Sequence, residues 1–119
     1  TMTKAEYLQR GESLDYTNAT EDTIPDGALV TIGSRVGVTG CPIPPGRTGS
    51  LHVVGVFEIK KTGTAAIEMG QTVYFDGTGI TDAADNGKTD STKETYTVAG
   101  YAAAPAAAGD TAILVQING

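Results

Sequence analysis

From Leu51 to Lys60 the chain alternates along an extended strand. Leu51, Val53, Phe57 and Ile59 fall on one side with Gly55, and His52, Val54, Val56, Glu58 and Lys60 on the other. A period of two belongs to a β-strand, because a helix would scatter the same side chains around its axis. The pattern predicts one strand over 51–60 with one face in a core and the other half wet. A second alternating run, Gln71 to Asp76, sets Val73 and Phe75 inward and Tyr74 across the sheet, and Asp76-Gly77 then offers a turn.

The rest of the chain reads the same way. Leu14 and Tyr16 share one side of a short strand after Gly11. Pro25-Asp26-Gly27 precedes a hairpin of Ala28–Ile32 and Val36–Val38 around Gly33-Ser34. Two final strands, Thr95–Ala102 and Ala112–Ile117, are joined by an alanine-rich connector in which Pro105 and Gly109 rule out a long helix. Cys41 to Gly49 holds three prolines, each lacking a ladder donor, and is expected as a surface loop. Thr78 to Thr92 is expected as an exposed loop pinned by Ile80, and Thr64 to Glu68 as a single helical turn capped by Thr64. Gly27, Gly70 and Gly109 each open a strand, which reads as one turn solution reused and not as a repeat architecture.

These elements predict an all-β fold: a single small β-sandwich or barrel-like domain of short antiparallel strands, with an extended N-terminal arm and at most one short helix. The arm is residues 1–11, polar apart from Met2, Tyr7 and Leu8, and the domain is 12–119. A chain of 119 residues buries about 65% of its unfolded surface, and here aromatics are only 6% with no Trp, so the core has little margin and the subunit gains from neighbours.

Charge and chemistry narrow the function. The net charge of −6, with eight dispersed Lys and Arg, argues against binding nucleic acid. The lone Cys41 makes no intrachain disulfide and fits synthesis in a reducing compartment. No basic-then-apolar N-terminus and no long apolar run is present, so neither a signal peptide nor a membrane partner is expected, and the Asn18-Ala19-Thr20 sequon carries no weight.

Gly87-Lys88-Thr89 lacks the earlier glycine of a phosphate loop, since Asp82 stands there. Asp82, Asp85, Asn86 and Asp90 do not have the spacing of a calcium loop. His52 is the only histidine, Cys41 has no ligand partner at metal spacing, and Pro42 and Pro45 are read as a rigid inter-strand loop. No catalytic residue, cofactor or metal is therefore expected.

Gly55-Val56-Phe57-Glu58-Ile59-Lys60, Gly70, Val73-Tyr74-Phe75-Asp76, Val98-Ala99-Gly100-Tyr101-Ala102 and Gly109-Asp110-Thr111, in this order and spacing, resemble the small phage capsid cement, or head decoration, proteins. The resemblance runs from about Tyr7 to Ile117 and departs in the proline-rich 41–49 loop and the long 77–93 loop. A recombinase-like label sometimes attached to such relatives finds no support in these residues. The resemblance implies a β-rich structural protein on the outer face of an expanded phage head. Its partners are the major capsid protein and, as a homotrimer at local threefold positions, itself. Tyr7, Leu8, Leu14 and Tyr16 are the candidate capsid contacts, and Val54 and Val56 the candidate subunit contacts.

Two other classes compete. A β-sandwich module for a sugar or peptide advertises an aromatic platform, and here five tyrosines are scattered without a Trp. An enzyme needs convergent titratable groups, of which the sequence offers one histidine and dispersed carboxylates.

Overall fold

The computed structural model describes residues 4–119, so Met2 of the predicted arm lies outside the described residues. Nine strands follow in order: β1 (Ser13–Thr17), β2 (Leu29–Ile32), β3 (Arg35–Thr39), β4 (Thr48–His52), β5 (Gly55–Lys60), β6 (Thr72–Phe75), β7 (Ile80–Thr81), β8 (Thr97–Ala102) and β9 (Ala112–Ile117). They form a four-stranded sheet, β1-β4-β3-β2, and a five-stranded sheet, β5-β9-β8-β6-β7. All the strand pairs are antiparallel, and the all-β expectation holds.

The strand predicted over 51–60 is two strands in two sheets. Gly55 takes φ 134°, a backbone region that side-chain-bearing residues rarely enter, and the chain turns there. His52 therefore pairs with Ser13 in the first sheet, whereas Gly55 pairs with Ile117 in the second. The alternation survives the break, with Phe57 and Ile59 half-buried and Val56, Glu58 and Lys60 exposed.

The helical turn predicted over 64–68 is absent, and no helix occurs among the described residues. Ile67 instead exchanges both backbone hydrogen bonds with Ala106, at 2.9 and 2.8 Å, which takes the groups a helical turn needs. The 41–49 loop is less exposed than expected, because Ile43 is buried and bridges Ile24, and Thr48 and Gly49 already belong to β4. The 78–92 loop likewise contains β7, whose two residues are both buried.

The two sheets share one plan. In each, the first strand pairs with the last, the last with the third and the third with the second, giving β1-β4-β3-β2 and β5-β9-β8-β6. The linking backbone bonds recur too. Gly27 N–H donates to Thr39 C=O and Thr39 N–H to Ala28 C=O; Gly70 N–H donates to Ala102 C=O and Ala102 N–H to Gln71 C=O. The Ile24–Ile43 pair returns as Ile67–Ala106, the Asn18 to Arg47 bond as Lys61 to Thr111, and the Gly40 to Ser50 bond as Ala103 to Leu114. The chain is thus two copies of a four-strand unit, which corrects the reading of its glycine turns as one turn solution reused without a repeat architecture. The second copy carries an insertion, Asp76 to Tyr96, that contains β7.

The main core draws Val36 and Val38 from the first unit and Ile67, Val73, Ile80, Ala99, Ala102, Ala106, Ile113, Val115 and Ile117 from the second. Small side chains at Ala99, Ala102 and Ala106 permit close approach of the layers. Ile80 makes a parallel bridge to Lys61, and Thr62 N–H donates to Ile80 C=O at 2.8 Å, so the five-stranded sheet curls until β7 reaches the end of β5.

Candidate interaction surfaces

Among the described residues, 4–11 make no backbone hydrogen bond to the rest of the chain. Their one link to β1 is Gln9 Nε2 donating to Ser13 C=O at 3.2 Å, and their ion pairs, Lys4–Glu6 and Arg10–Glu12, are local. Tyr7 and Leu8 are 83% and 90% exposed. Leu14 is exposed and Tyr16 half-buried on β1, which pairs only with β4 and so leaves one strand edge free.

Val54 and Val56, each 54% exposed, sit where β5 begins. They are not alone. Val56 pairs with Gln116, Gln116 with Tyr101, and Glu58 with Leu114, so Tyr101 and Leu114 lie beside them on the outer face of the second sheet, and Val98 is exposed on the same β8. The sequence reading missed Tyr101, Leu114 and Val98. The signal for Leu114 was present, because inward Ile113, Val115 and Ile117 force it outward.

Among the clefts that indent the described surface, two are the larger. One, of about 590 Å³, has Leu29, Val38, Phe57, Ile59 and Phe75 as apolar lining and Asp26 and Glu58 among its polar groups. The other, of about 420 Å³, is lined by Leu14, Ile32, Arg35, Val53 and Asn118.

Several of the polar groups singled out in the sequence hydrogen-bond to nearby backbone. Asn18 is fully buried: its Nδ2 donates to the carbonyls of Asp22 and Ile43, both at 2.8 Å, and its Oδ1 accepts from Thr20. His52 Nδ1 lies 3.1 Å from the Ser13 hydroxyl, and no carboxylate is hydrogen-bonded to the ring among the described residues. Asp85, Asn86 and Asp90 cap their own loop, accepting from Gly87, Lys88 and Thr92 backbone N–H groups. Cys41 is a half-buried free thiol. Asp76 is desolvated by partial burial, which raises its pKa, but donors from Thr62, Gly79 and Thr78 outweigh that and hold its carboxyl below the ordinary value.

No curated protein and no solved structure matches the chain. A family model described as phage cement protein matches residues 8–117, nearly the whole length and including the arm residue Leu8, both four-strand units and the apolar outer face. A small acidic β-protein with an uncovered apolar face has the form of a structural subunit, and with that match the chain belongs to the phage cement protein family, the structural proteins of phage capsids.

Proposed function

We propose that the protein binds the outer surface of the expanded phage head as homotrimers at local threefold positions, where it ties major capsid subunits together against the outward pressure of packaged DNA. The observation that carries this reading is the apolar outer face of the second sheet, with Val54, Val56, Val98, Tyr101 and Leu114 uncovered on a chain whose own core is small. Clustered exposed apolar side chains mark an interaction surface. In this arrangement Val54 and Val56 make the contact between copies. The arm, residues 1–11, is a part distinct from the 12–119 domain, and Tyr7, Leu8, Leu14 and Tyr16 reach the capsid. Extended segments of this kind add to sheet edges through main-chain hydrogen bonds. Several modest contacts made by one trimer then act as a single clamp. Synthesis takes place in the bacterial cytoplasm, nucleic acid and membrane play no part, and the role is mechanical, with no reaction catalysed.

The test is to add purified protein to expanded heads that lack it and to image them by cryo-microscopy. Saturable density at local threefold positions, with greater resistance of the heads to heat, is expected. Absence of binding overturns the reading.

A further inference from the structure

An asparagine followed by glycine is open to attack by the next backbone nitrogen on its side-chain amide, because glycine has no Cβ to shield that nitrogen or restrict its backbone. The chain has two such pairs, Asn86-Gly87 in the insertion and Asn118-Gly119 after β9, and its remaining asparagine, Asn18, precedes Ala19. The fold treats the two pairs in opposite ways. At Asn118 both atoms of the side-chain amide are held by the backbone of Val36 and Val53, and those bonds must break before the group can react.

At Asn86 the hydrogen bonds sit where the reaction needs them. The nucleophile, Gly87 N–H, donates to Asp85 Oδ1 at 2.9 Å, so a carboxylate is in place to take its proton. The electrophile, the side-chain carbonyl of Asn86, accepts from Lys88 N–H at 3.1 Å, a donor aimed at the oxygen on which negative charge grows as the nitrogen attacks. Lys93 Nζ, 3.8 Å from Asp85 Oδ2, lies on the far side of the carboxylate. Gly87 is exposed, has φ 77°, and meets nothing beyond its chain neighbours within 4 Å of where a Cβ would stand, so no packed neighbour restrains the pair.

We propose that Asn86-Gly87 is a self-modification site, at which Asp85 and the Lys88 N–H promote conversion of Asn86 to aspartate and isoaspartate. The Gly87 nitrogen bonds to Asn86 Cγ and passes its proton to Asp85. The Cγ–Nδ2 bond then breaks, and Nδ2 takes that proton and leaves as ammonia. Water opens the resulting cyclic imide, at Cγ to give aspartate or at the backbone carbonyl carbon to give isoaspartate. The conversion acts on the loop that carries it. Asn86 Nδ2 donates to Thr92 C=O at 2.8 Å, and the product sets a carboxylate oxygen against that carbonyl. Isoaspartate also adds a backbone carbon beside the Asp85–Thr95 bridge, where Asn86 N–H donates to Glu94 C=O at 3.0 Å. The tip of the insertion, 85–95, therefore loosens as the protein ages. This stands independently of the capsid reading.

The experiment incubates the purified full chain, folded and in urea, from about pH 6 to about pH 8, and follows both pairs by peptide mapping with mass spectrometry and enzymatic labelling of isoaspartate. Asn86 is expected to convert faster in the folded chain than in urea, and at least about tenfold faster than folded Asn118, which unfolding releases. Asp85→Ser keeps an oxygen acceptor for Gly87 N–H but no carboxylate, so conversion at Asn86 should slow by about tenfold or more and follow hydroxide more steeply across this pH range. In the converted protein, amide exchange at residue 86 and at Tyr96 should quicken, as loss of their bonds to Glu94 and Ala84 requires. The comparison of folded and unfolded native chain needs no variant to fold. Slower conversion of Asn86 in the folded chain than in urea, an Asn118 that keeps pace with it, or Asp85→Ser converting as the native chain does overturns the proposal. Unchanged exchange after conversion overturns the loosening of the tip.

Discussion

The side chain of Asn118 pairs with the backbone of Val36 as a strand does: its Oδ1 accepts from Val36 N–H at 3.2 Å and its Nδ2 donates to Val36 C=O at 2.8 Å. The same Nδ2 also donates to Val53 C=O at 2.8 Å, and the backbone N–H of Asn118 donates to Ala99 C=O. Val36 and Ala99 are equivalent positions in the two units. One residue at the end of β9 therefore holds both copies at the same point.

Replacing Asn118 with Ala removes these side-chain bonds and leaves partly buried backbone groups of Val36 and Val53 without partners. The expected loss is about 1–3 kcal/mol of unfolding free energy, read by urea denaturation. Asn118 also has φ 57°, which Ala tolerates poorly and Gly well. Asn118→Gly should therefore lose less than Asn118→Ala. Equal loss in the two variants would show that backbone conformation contributes nothing at this position.

Gly37 and Gly100 are equivalent by the same scheme, yet they answer differently to an added methyl. At Gly100, with φ 146°, a Cβ would strike the backbone carbonyl of Gln116, which cannot move without breaking the β8–β9 ladder. At Gly37 the nearest atoms it would meet belong to the Leu51 side chain, 2.5 Å away. Gly37→Ala should cost about 1–3 kcal/mol as an overpacked site, and Gly100→Ala clearly more, up to failure to fold. Thermal denaturation of the two variants side by side gives the ranking.

Asp76 sets the acid limit of the β6–β7 turn. Its folded pKa lies below the ordinary 3.8, so the stabilisation it brings is complete above the unfolded value and disappears as pH falls through the folded one. Melting temperature should thus decline below about pH 4 more steeply in the native chain than in Asp76→Asn, which keeps the acceptor for Thr78 and Gly79 but does not titrate. Parallel slopes in the two proteins between pH 6 and pH 2 would refute this role.

The strand content and the inward faces of β5, β6 and β9 were legible because alternation directly reports which side chains share a face. What escaped was set by contacts between distant segments. The break at Gly55 follows from two different partners, Ser13 for His52 and Ile117 for Gly55, and alternation carries no trace of it. Thr64 to Glu68 has a helix-like start, but the bond partner of Ile67 is Ala106, supplied by a remote turn. The duplication was veiled because the 76–96 insertion shifts the register of the second unit, and because equivalent residues differ as widely as Asn18 and Lys61. Both are buried and both bond backbone carbonyls, Lys61 Nζ donating to Gly63 C=O at 2.7 Å. Of the surface residues, Val54 and Val56 were legible as the polar-side exceptions in an alternating strand. Tyr101 joins them only through the pairing of β8 with β9.

That pairing supplies the last prediction. Val54→Lys with Val56→Lys places two charges at the exposed start of an edge strand, where lysine is well tolerated, so unfolding free energy should change by no more than about 0.5 kcal/mol. Association with the head should suffer far more, since each charge must be stripped of water if the apolar face of Val98, Tyr101 and Leu114 is covered on assembly. Occupancy on expanded heads, counted by cryo-microscopy, is expected to fall sharply while the purified variant melts as the native chain does. A control pair at Lys88 and Asp90, exposed on the 76–96 insertion and away from this face, should leave occupancy unchanged. If the double lysine variant fills the heads as the native chain does, the outer face of the second sheet is not a contact, and the arm and strand edges must carry the attachment.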